Sequence, residues 1–217
     1  MAKNSTPLLI ISAVIAMSAG LWLAQNSKTD SSPITVPNIQ GAIYPSAKTI
    51  KPFTLINHKG TEFNNNNLNG HWSIIFVGYT HCPDVCPTTL SLMSAVHKEL
   101  SQQKIQPPNV IFLSIDPERD TAEIMNSYVE YFNPEFTGVT GSLKVIEKLS
   151  RDLNAVYRKS PGLSGEITKD EYLMDHSSAL MLVNPNGSLQ SILTAPHTQE
   201  NIIDSLIKSQ DYYNSIR

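Results

Sequence analysis

Phe76-Val77-Gly78-Tyr79-Thr80-His81-Cys82-Pro83-Asp84-Val85-Cys86-Pro87 holds both cysteines of the chain, separated by three residues. Just upstream, Trp72 to Tyr79 (WSIIFVGY) is a continuous apolar run, the pattern of a strand buried on both faces. Just downstream, Thr88 to Gln103 carries Leu90, Met93, Val96 and Leu100 at helical spacing. The two sulfurs therefore fall at a strand-to-helix turn. Pro87 suits the first turn of that helix, where a missing N–H is harmless. A thiol there meets the positive end of the helix dipole, which favours the thiolate, the nucleophilic and metal-binding form. The turn and its flanking prolines predict exposed sulfurs. A structural disulfide is the bland alternative, but so small a loop limits its entropic stabilisation.

Further along, strand and helix signals alternate. Val110 to Ile115 (VIFLSI) reads as a second buried strand, and Phe53–Asn57, Phe136–Val139 and Ala155–Arg158 as shorter ones. Helical spacing predicts helices over 121–132, 142–153 and 198–213. Gly162 to Tyr172 reads as a polar hairpin or loop. Ser178–Asn184 and Ser188–Leu193 flank Pro185-Asn186-Gly187, a turn signal that makes them antiparallel neighbours. This order implies an α/β fold, a mixed sheet with helices on both faces. Strand, Cys-x-x-x-Cys, helix is the thioredoxin-like arrangement with one residue added between the sulfurs.

The first 30 residues differ. Lys3 is followed by no charged residue until Lys28, and Leu8 to Ala24 (LLIISAVIAMSAGLWLA) is nearly all apolar. Those residues as a helix span roughly 25 Å, near the short limit for a bilayer. We expect a short cytoplasmic N-terminus over 1–7, a transmembrane helix or signal anchor over 8–24 and a linker over 25–49, its later part packing on a domain at 50–217. A cleaved signal peptide is the rival reading. Either one places the domain outside the cytoplasm, where disulfides persist. Composition is that of a globular protein, 41% hydrophobic and 16% charged. A net charge of −3 and scattered Lys and Arg give no case for nucleic acid.

GYTHCPDVCP before a helix, then LSIDPERDT, then YLMDHSSALMLVNPNG, resembles the Sco/SenC copper proteins. The resemblance runs from about Gly41 to the C-terminus, plus the N-terminal anchor. Its specificity lies in the three segments in order, with His176 ninety residues after Cys86. The family consists of membrane-anchored, thioredoxin-like proteins that assist assembly of the cytochrome c oxidase copper site. The resemblance implies a copper site of Cys82, Cys86 and His176, carrying Cu(I) and/or Cu(II). It also implies a bacterial inner-membrane anchor with a periplasmic domain. The implied partner is the copper-site domain of oxidase subunit II, alongside another copper chaperone or a thioredoxin-like reductant. Chemistry supports the set: two thiolates and an imidazole are soft donors suited to Cu(I), whereas structural zinc needs four protein ligands.

Other residues carry less. Asp175 neighbours His176, but adjacent strand residues point oppositely, so direct support of the imidazole is doubtful. His81 could tune Cys82 or be surface polarity. His58, His71, His97 and His197 have no partner signal and read as solvated. Met181 reads as core, and Met174 is a soft sulfur near the histidine. Asp84 is a candidate oxygen donor or plain turn polarity. Asp116–Asp120 reads as a strand exit with an N-cap that borders the cysteine face. Two functions compete: a copper metallochaperone, which is a carrier and no classical enzyme, and a thiol–disulfide oxidoreductase using Cys82 and Cys86 as a redox pair. Thiol exchange needs no distant histidine, so His176 separates them. A peroxiredoxin-like peroxidase would need a Thr-x-x-Cys setting that Cys82 lacks.

Overall fold

A computed structural model describes residues 15–23, 35–162, 164–168 and 171–217. Residues 15–23 are helical with exposed side chains, and the remainder of the expected 8–24 span lies outside the described residues. Among the described residues no helix is long and apolar enough to cross a membrane. Val36–Arg217 forms a compact unit of its own.

Among the described residues, ten strands, four α-helices and a short 3-10 helix at Asn65–Leu68 build that unit. The strands are β1 Gly41–Thr49, β2 Thr54–Asn57, β3 Glu62–Asn64, β4 Ser73–Gly78, β5 Asn109–Ser114, β6 Thr137–Thr140, β7 Tyr157–Pro161, β8 Tyr172–His176, β9 Leu180–Val183 and β10 Ser188–Leu193. The helices are α1 Val85–Gln102, α2 Ala122–Phe132, α3 Leu143–Asp152 and α4 Gln199–Ser215. Eight strands form one sheet in the order β1-β10-β9-β4-β5-β6-β2-β3, and β7 pairs only with β8 in a separate hairpin. At the centre β4, β5 and β6 run parallel, and the outer pairs are antiparallel. This is a thioredoxin-like mixed α/β sheet flanked by helices.

Alternation along the two central strands separates the layers. Ile74, Phe76, Val110 and Phe112 pack with Leu90 and Met93 of α1, Val129 of α2 and Leu206 of α4. Ile75, Val77, Ile111 and Leu113 face the other way, onto Ile146 and Leu149 of α3 and Tyr172 and Met174 of β8. Both faces of β4 and β5 are thus covered, which is why their sequences are unbroken apolar runs. Each fully buried Leu or Ile contributes roughly 1.5–3 kcal/mol relative to exposure.

Three expectations need correction. Residues 41–49, assigned to the linker, form the edge strand β1. Its pairing with β10 is irregular between Ile43 and Lys48, the stretch that holds Pro45. Proline is tolerated there because an edge strand has N–H groups that need no ladder partner. Tyr172–His176, with Tyr172 expected in the hairpin or loop and the rest in no element, is strand β8. Its partner β7 is mostly polar and half exposed, so neither shows the apolar run of a core strand. Helix α1 also begins earlier than Thr88. Val85, Cys86 and Pro87 are its first three residues, and Cys86 is fully buried rather than exposed.

Gly78, the last residue of β4, makes that burial possible. A Cβ there would lie 2.6 Å from the Cys86 sulfur and 2.6 Å from Phe112 Cε2. Contacts that close force the core to shift. We expect Gly78→Ala to lower the stability of the metal-free protein by about 1–3 kcal/mol, read as a reduced denaturant midpoint at unchanged slope. An unchanged midpoint would mean that the sulfur has room to move.

Candidate metal centre

Three chain segments converge on the C-terminal end of β4. The turn after β4 supplies Cys82, the first turn of α1 supplies Cys86, and the end of β8 supplies His176. Their donor atoms all lie within 4.8 Å of one another. His176 Nε2 is 3.6 Å from Cys86 Sγ. The cysteines are free thiols, Cys82 half-buried and Cys86 fully buried. Among the described residues, these three form the cluster of His, Cys, Asp and Glu side chains able to hold a metal ion. Beside it opens a cavity of about 370 Å³, lined by Cys82, Asp84, Val85, Met174, Asp175 and His176 among others, so the candidate oxygen donor Asp84 borders the site. The site is therefore reachable from solvent on the Cys82 side and closed on the Cys86 side.

Local bonds set the cysteine turn. Cys82 N–H donates to the Tyr79 carbonyl, and Cys86 N–H donates to the Cys82 sulfur at 3.4 Å. The Thr80 hydroxyl and backbone N–H both donate to Asp120, at 2.6 and 3.0 Å, and Ser114 adds a third bond at 2.6 Å. Asp120 is wholly buried. Its role was not legible from the sequence, which marked 116–120 only as a strand exit near the cysteines. The helix cap there is Thr121, whose hydroxyl accepts from Ile124 N–H, and Asp120 is instead a strut beneath the cysteine turn.

The sulfurs are electrostatically unequal. A hydrogen bond from Cys86 pulls the Cys82 thiol down to about 3, and His176 and the N–H groups of Asp84 and Cys86 assist against burial. Donating that bond pushes the Cys86 thiol up, reinforced by burial, by the Cys82 charge and by nearby Asp120. The pair thus holds one proton and one negative charge. Burial acts to depress His176, but the Cys82 thiolate and the Ser177 carbonyl outweigh it, so its pKa is raised. His176 Nδ1 lies 3.1 Å from the Ser177 carbonyl, which can only accept. In the neutral ring the proton therefore sits on Nδ1, leaving the Nε2 lone pair facing the sulfurs.

The remaining histidines and acids stay outside this cluster. Asp175 is exposed and borders the cavity, but its carboxylate is engaged elsewhere, pairing with Arg158 at 3.1 Å and accepting from Ser160 at 3.0 Å. His81 is half exposed and 3.9 Å from Asp120. His58 and His97 are not solvated as expected. His58 is buried and accepts the Gly138 N–H, while His97 sits 2.8 Å from Glu135 and edge-on to Phe136. Met181 is buried core. Tyr79, Arg119 and Tyr172, which sequence reasoning passed over, pack around the histidine strand. Tyr79 meets the His176 ring edge-on at 6.1 Å.

A depressed thiol stabilises the fold where it is ionised. The Cys82 contribution is complete above the ordinary thiol value near 9 and is lost as pH falls toward about 3. The raised Cys86 thiol works oppositely, costing stability only above that ordinary value. In the reduced, metal-free protein, iodoacetamide should alkylate Cys82 and spare Cys86. Its rate should change less than about twofold between pH 5 and 8, where an ordinary thiol gains roughly a thousandfold. Peptide mass mapping reads the site, and a steep rise in rate over this range would contradict the thiolate assignment.

Known proteins fall in line with this geometry. The SCO1/SenC family model matches residues 42–210. Protein SCO2 homolog, mitochondrial, of Homo sapiens is 31% identical over 215 residues, covering 97% of this chain and 77% of that protein. A SCO2-like protein of Rickettsia prowazekii is 32% identical over 188 residues, covering 86% of this chain and 88% of that one. The crystal structure of Arabidopsis thaliana ScoI with copper bound superimposes with a TM-score of 0.68 at 32% identity, over 75% of this chain and 99% of that one. With the family model matching most of the strand-and-helix unit, including the two cysteines and the histidine, the chain belongs to the SCO1/SenC family.

Proposed function

We propose that this protein is a membrane-tethered copper metallochaperone that holds copper through Cys82, Cys86 and His176 and assists assembly of the copper site of cytochrome c oxidase. The observation that carries this reading is the convergence of two sulfurs and one imidazole within 4.8 Å at the mouth of an open cavity. Two thiolates and an imidazole hold Cu(I), and Cu(II) with a further oxygen ligand. Three protein donors leave a coordination position free. A partner's thiolate can enter there before the chaperone's donors leave, so the ion is never released to water. The copper-bound relative from Arabidopsis thaliana supports copper as the cargo.

The apolar run from Leu8 to Ala24 supports an anchor, with 1–7 on the cytoplasmic side, residues 25–35 as tether, and the domain in the periplasm of a bacterial cell. That tether reaches at most about 40 Å when extended, which keeps the domain near the membrane that carries oxidase subunit II.

A second reading has its own support. Cys82 as thiolate beside a protonated Cys86 is an attacking thiol with a resolving thiol behind it. That pair suits reduction of a disulfide in the oxidase copper site. Both roles need the reduced dithiol, because a disulfide cannot offer two thiolates.

The reduced chain should bind about one copper and show a sulfur-to-Cu(II) charge-transfer band in the Cu(II) form. His176→Ala should weaken copper binding by more than the ~10–100-fold that losing an outer hydrogen-bond partner costs, and should leave Cys82–Cys86 able to form a disulfide. Transfer to the purified copper domain of oxidase subunit II, run with reduced and with oxidised protein, decides between the readings. Copper delivery by the reduced form supports the chaperone, and dithiol reduction without delivery supports the oxidoreductase.

A further inference from the structure

His176 is the one ligand candidate not carried by the main sheet or by a helix packed on it. It sits on the β7–β8 hairpin, which makes no ladder with the eight-stranded sheet. Something other than backbone pairing must fix how β8 faces the sulfurs. Along β8, Tyr172 and Met174 are buried and His176 is half-buried, whereas Leu173 and Asp175 point outward. Side chains on a strand alternate, so Tyr172, Met174 and His176 share one face. Whatever fixes the Tyr172 ring also fixes the rotation of the strand, and with it the direction of the imidazole.

Arg119, in the loop between β5 and α2, holds Tyr172 in three ways. Its Nη1 donates to the Tyr172 carbonyl at 3.1 Å. Its guanidinium lies 3.6 Å from the centre of the Tyr172 ring. Its Nε binds one oxygen of buried Asp116, whose other oxygen accepts the Tyr172 hydroxyl at 2.6 Å. The same guanidinium lies 5.6 Å from the centre of the Tyr79 ring, the ring against which His176 rests. Other groups touch β8 too: exposed Glu118 bonds Lys159 and Tyr172, Lys159 Nζ lies 4.2 Å from the Tyr172 ring centre, and Tyr79 bonds the Met174 backbone. The first two are solvent-exposed and correspondingly weak, and none of them grips both the carbonyl and the ring of Tyr172 as Arg119 does.

We propose that Arg119 is the positioning residue for the third ligand: by gripping the carbonyl and ring of Tyr172 and, through Asp116, its hydroxyl, it sets the rotation of β8 that aims His176 at Cys82 and Cys86. The proposal rests on the three-donor copper site proposed above. It separates two capacities of one molecule. The cysteine pair belongs to β4 and α1, so thiol exchange does not need the clamp, whereas imidazole ligation does.

The test uses the full chain, reduced and loaded with copper, in four forms: wild type, Arg119→Gln, His176→Ala and the double variant. Cu(I) affinity is read by competition with a chelator, and nitrogen coupling by paramagnetic resonance of the Cu(II) form. Arg119→Gln should lose about 10–100-fold in affinity, the usual cost of removing a group that orients a ligand, and should lose the imidazole nitrogen coupling. It should form the Cys82–Cys86 disulfide at the wild-type rate. The double variant should bind no more weakly than His176→Ala alone, because Arg119 acts only through that ring. Additive losses, or retained nitrogen coupling in Arg119→Gln, overturn the proposal while leaving the three-donor site intact. Equal affinity of wild type and His176→Ala overturns the site itself, and the proposal with it. Should Arg119→Gln unfold by leaving Asp116 unpaired, Arg119→Lys keeps the charge but cannot make both hydrogen bonds in the plane of the ring. It is expected to fold and to lose nitrogen coupling, and full coupling in that variant counts against the clamp.

Discussion

The Cys86 sulfur is packed between the end of β4 and the first turn of α1, in space that exists because residue 78 has no side chain. A thiol in that position is held protonated by its hydrogen bond to Cys82, with burial, the Cys82 charge and, least, the Asp120 carboxylate adding to the effect. It serves as a hydrogen-bond donor to Cys82, which takes the charge at the solvent side. The burial of one sulfur therefore makes the other a thiolate. It also sets the order of events for any incoming ion or disulfide: Cys82 is met first, and Cys86 gives up its proton only when a metal ion or a new bond to sulfur replaces it.

This asymmetry bears on both proposed activities. A carrier needs donors that are ready yet not saturated, and a reductant needs one attacking and one resolving thiol. The same two residues satisfy both descriptions because both depend on one proton shared between two sulfurs. The imidazole distinguishes them. It approaches from a hairpin outside the sheet, with its Nδ1 engaged by a backbone carbonyl and its Nε2 directed inward. Thiol exchange has no use for that arrangement, and a two-sulfur, one-nitrogen site requires it.

Beneath the site, the loop after β5 joins the two halves. Asp120 holds the cysteine turn through Thr80, and Asp116 with Arg119 holds the histidine strand through Tyr172. One short segment thus braces both sides of the cluster: both oxygens of each buried carboxylate are bonded, while Arg119 Nη2 is buried without a partner. Buried carboxylates bonded on both oxygens resist displacement, which suits side chains that must keep their spacing with no ion between them.

Much of this was legible in the chain itself. The unbroken apolar runs of β4 and β5 report burial on both faces, the turn at 185–187 reports the β9–β10 hairpin, and the motifs single out Cys82, Cys86 and His176, the three side chains the fold brings together. Asp175 could be set apart from the imidazole by strand alternation alone. What the sequence could not carry was set by residues distant along the chain. Cys86 looks exposed at a proline-flanked turn, and only Gly78 and Phe112 together reveal the pocket that takes its sulfur. Strands β1, β7 and β8 lack an apolar run because each has a face open to solvent or lies at an edge, so their local pattern is weak. Arg119 and Asp120 read as polar loop residues until the fold sets Tyr172 and Thr80 beside them. Local periodicity records what each segment buries, whereas spacing between donors from three segments depends on long-range packing that no short stretch encodes.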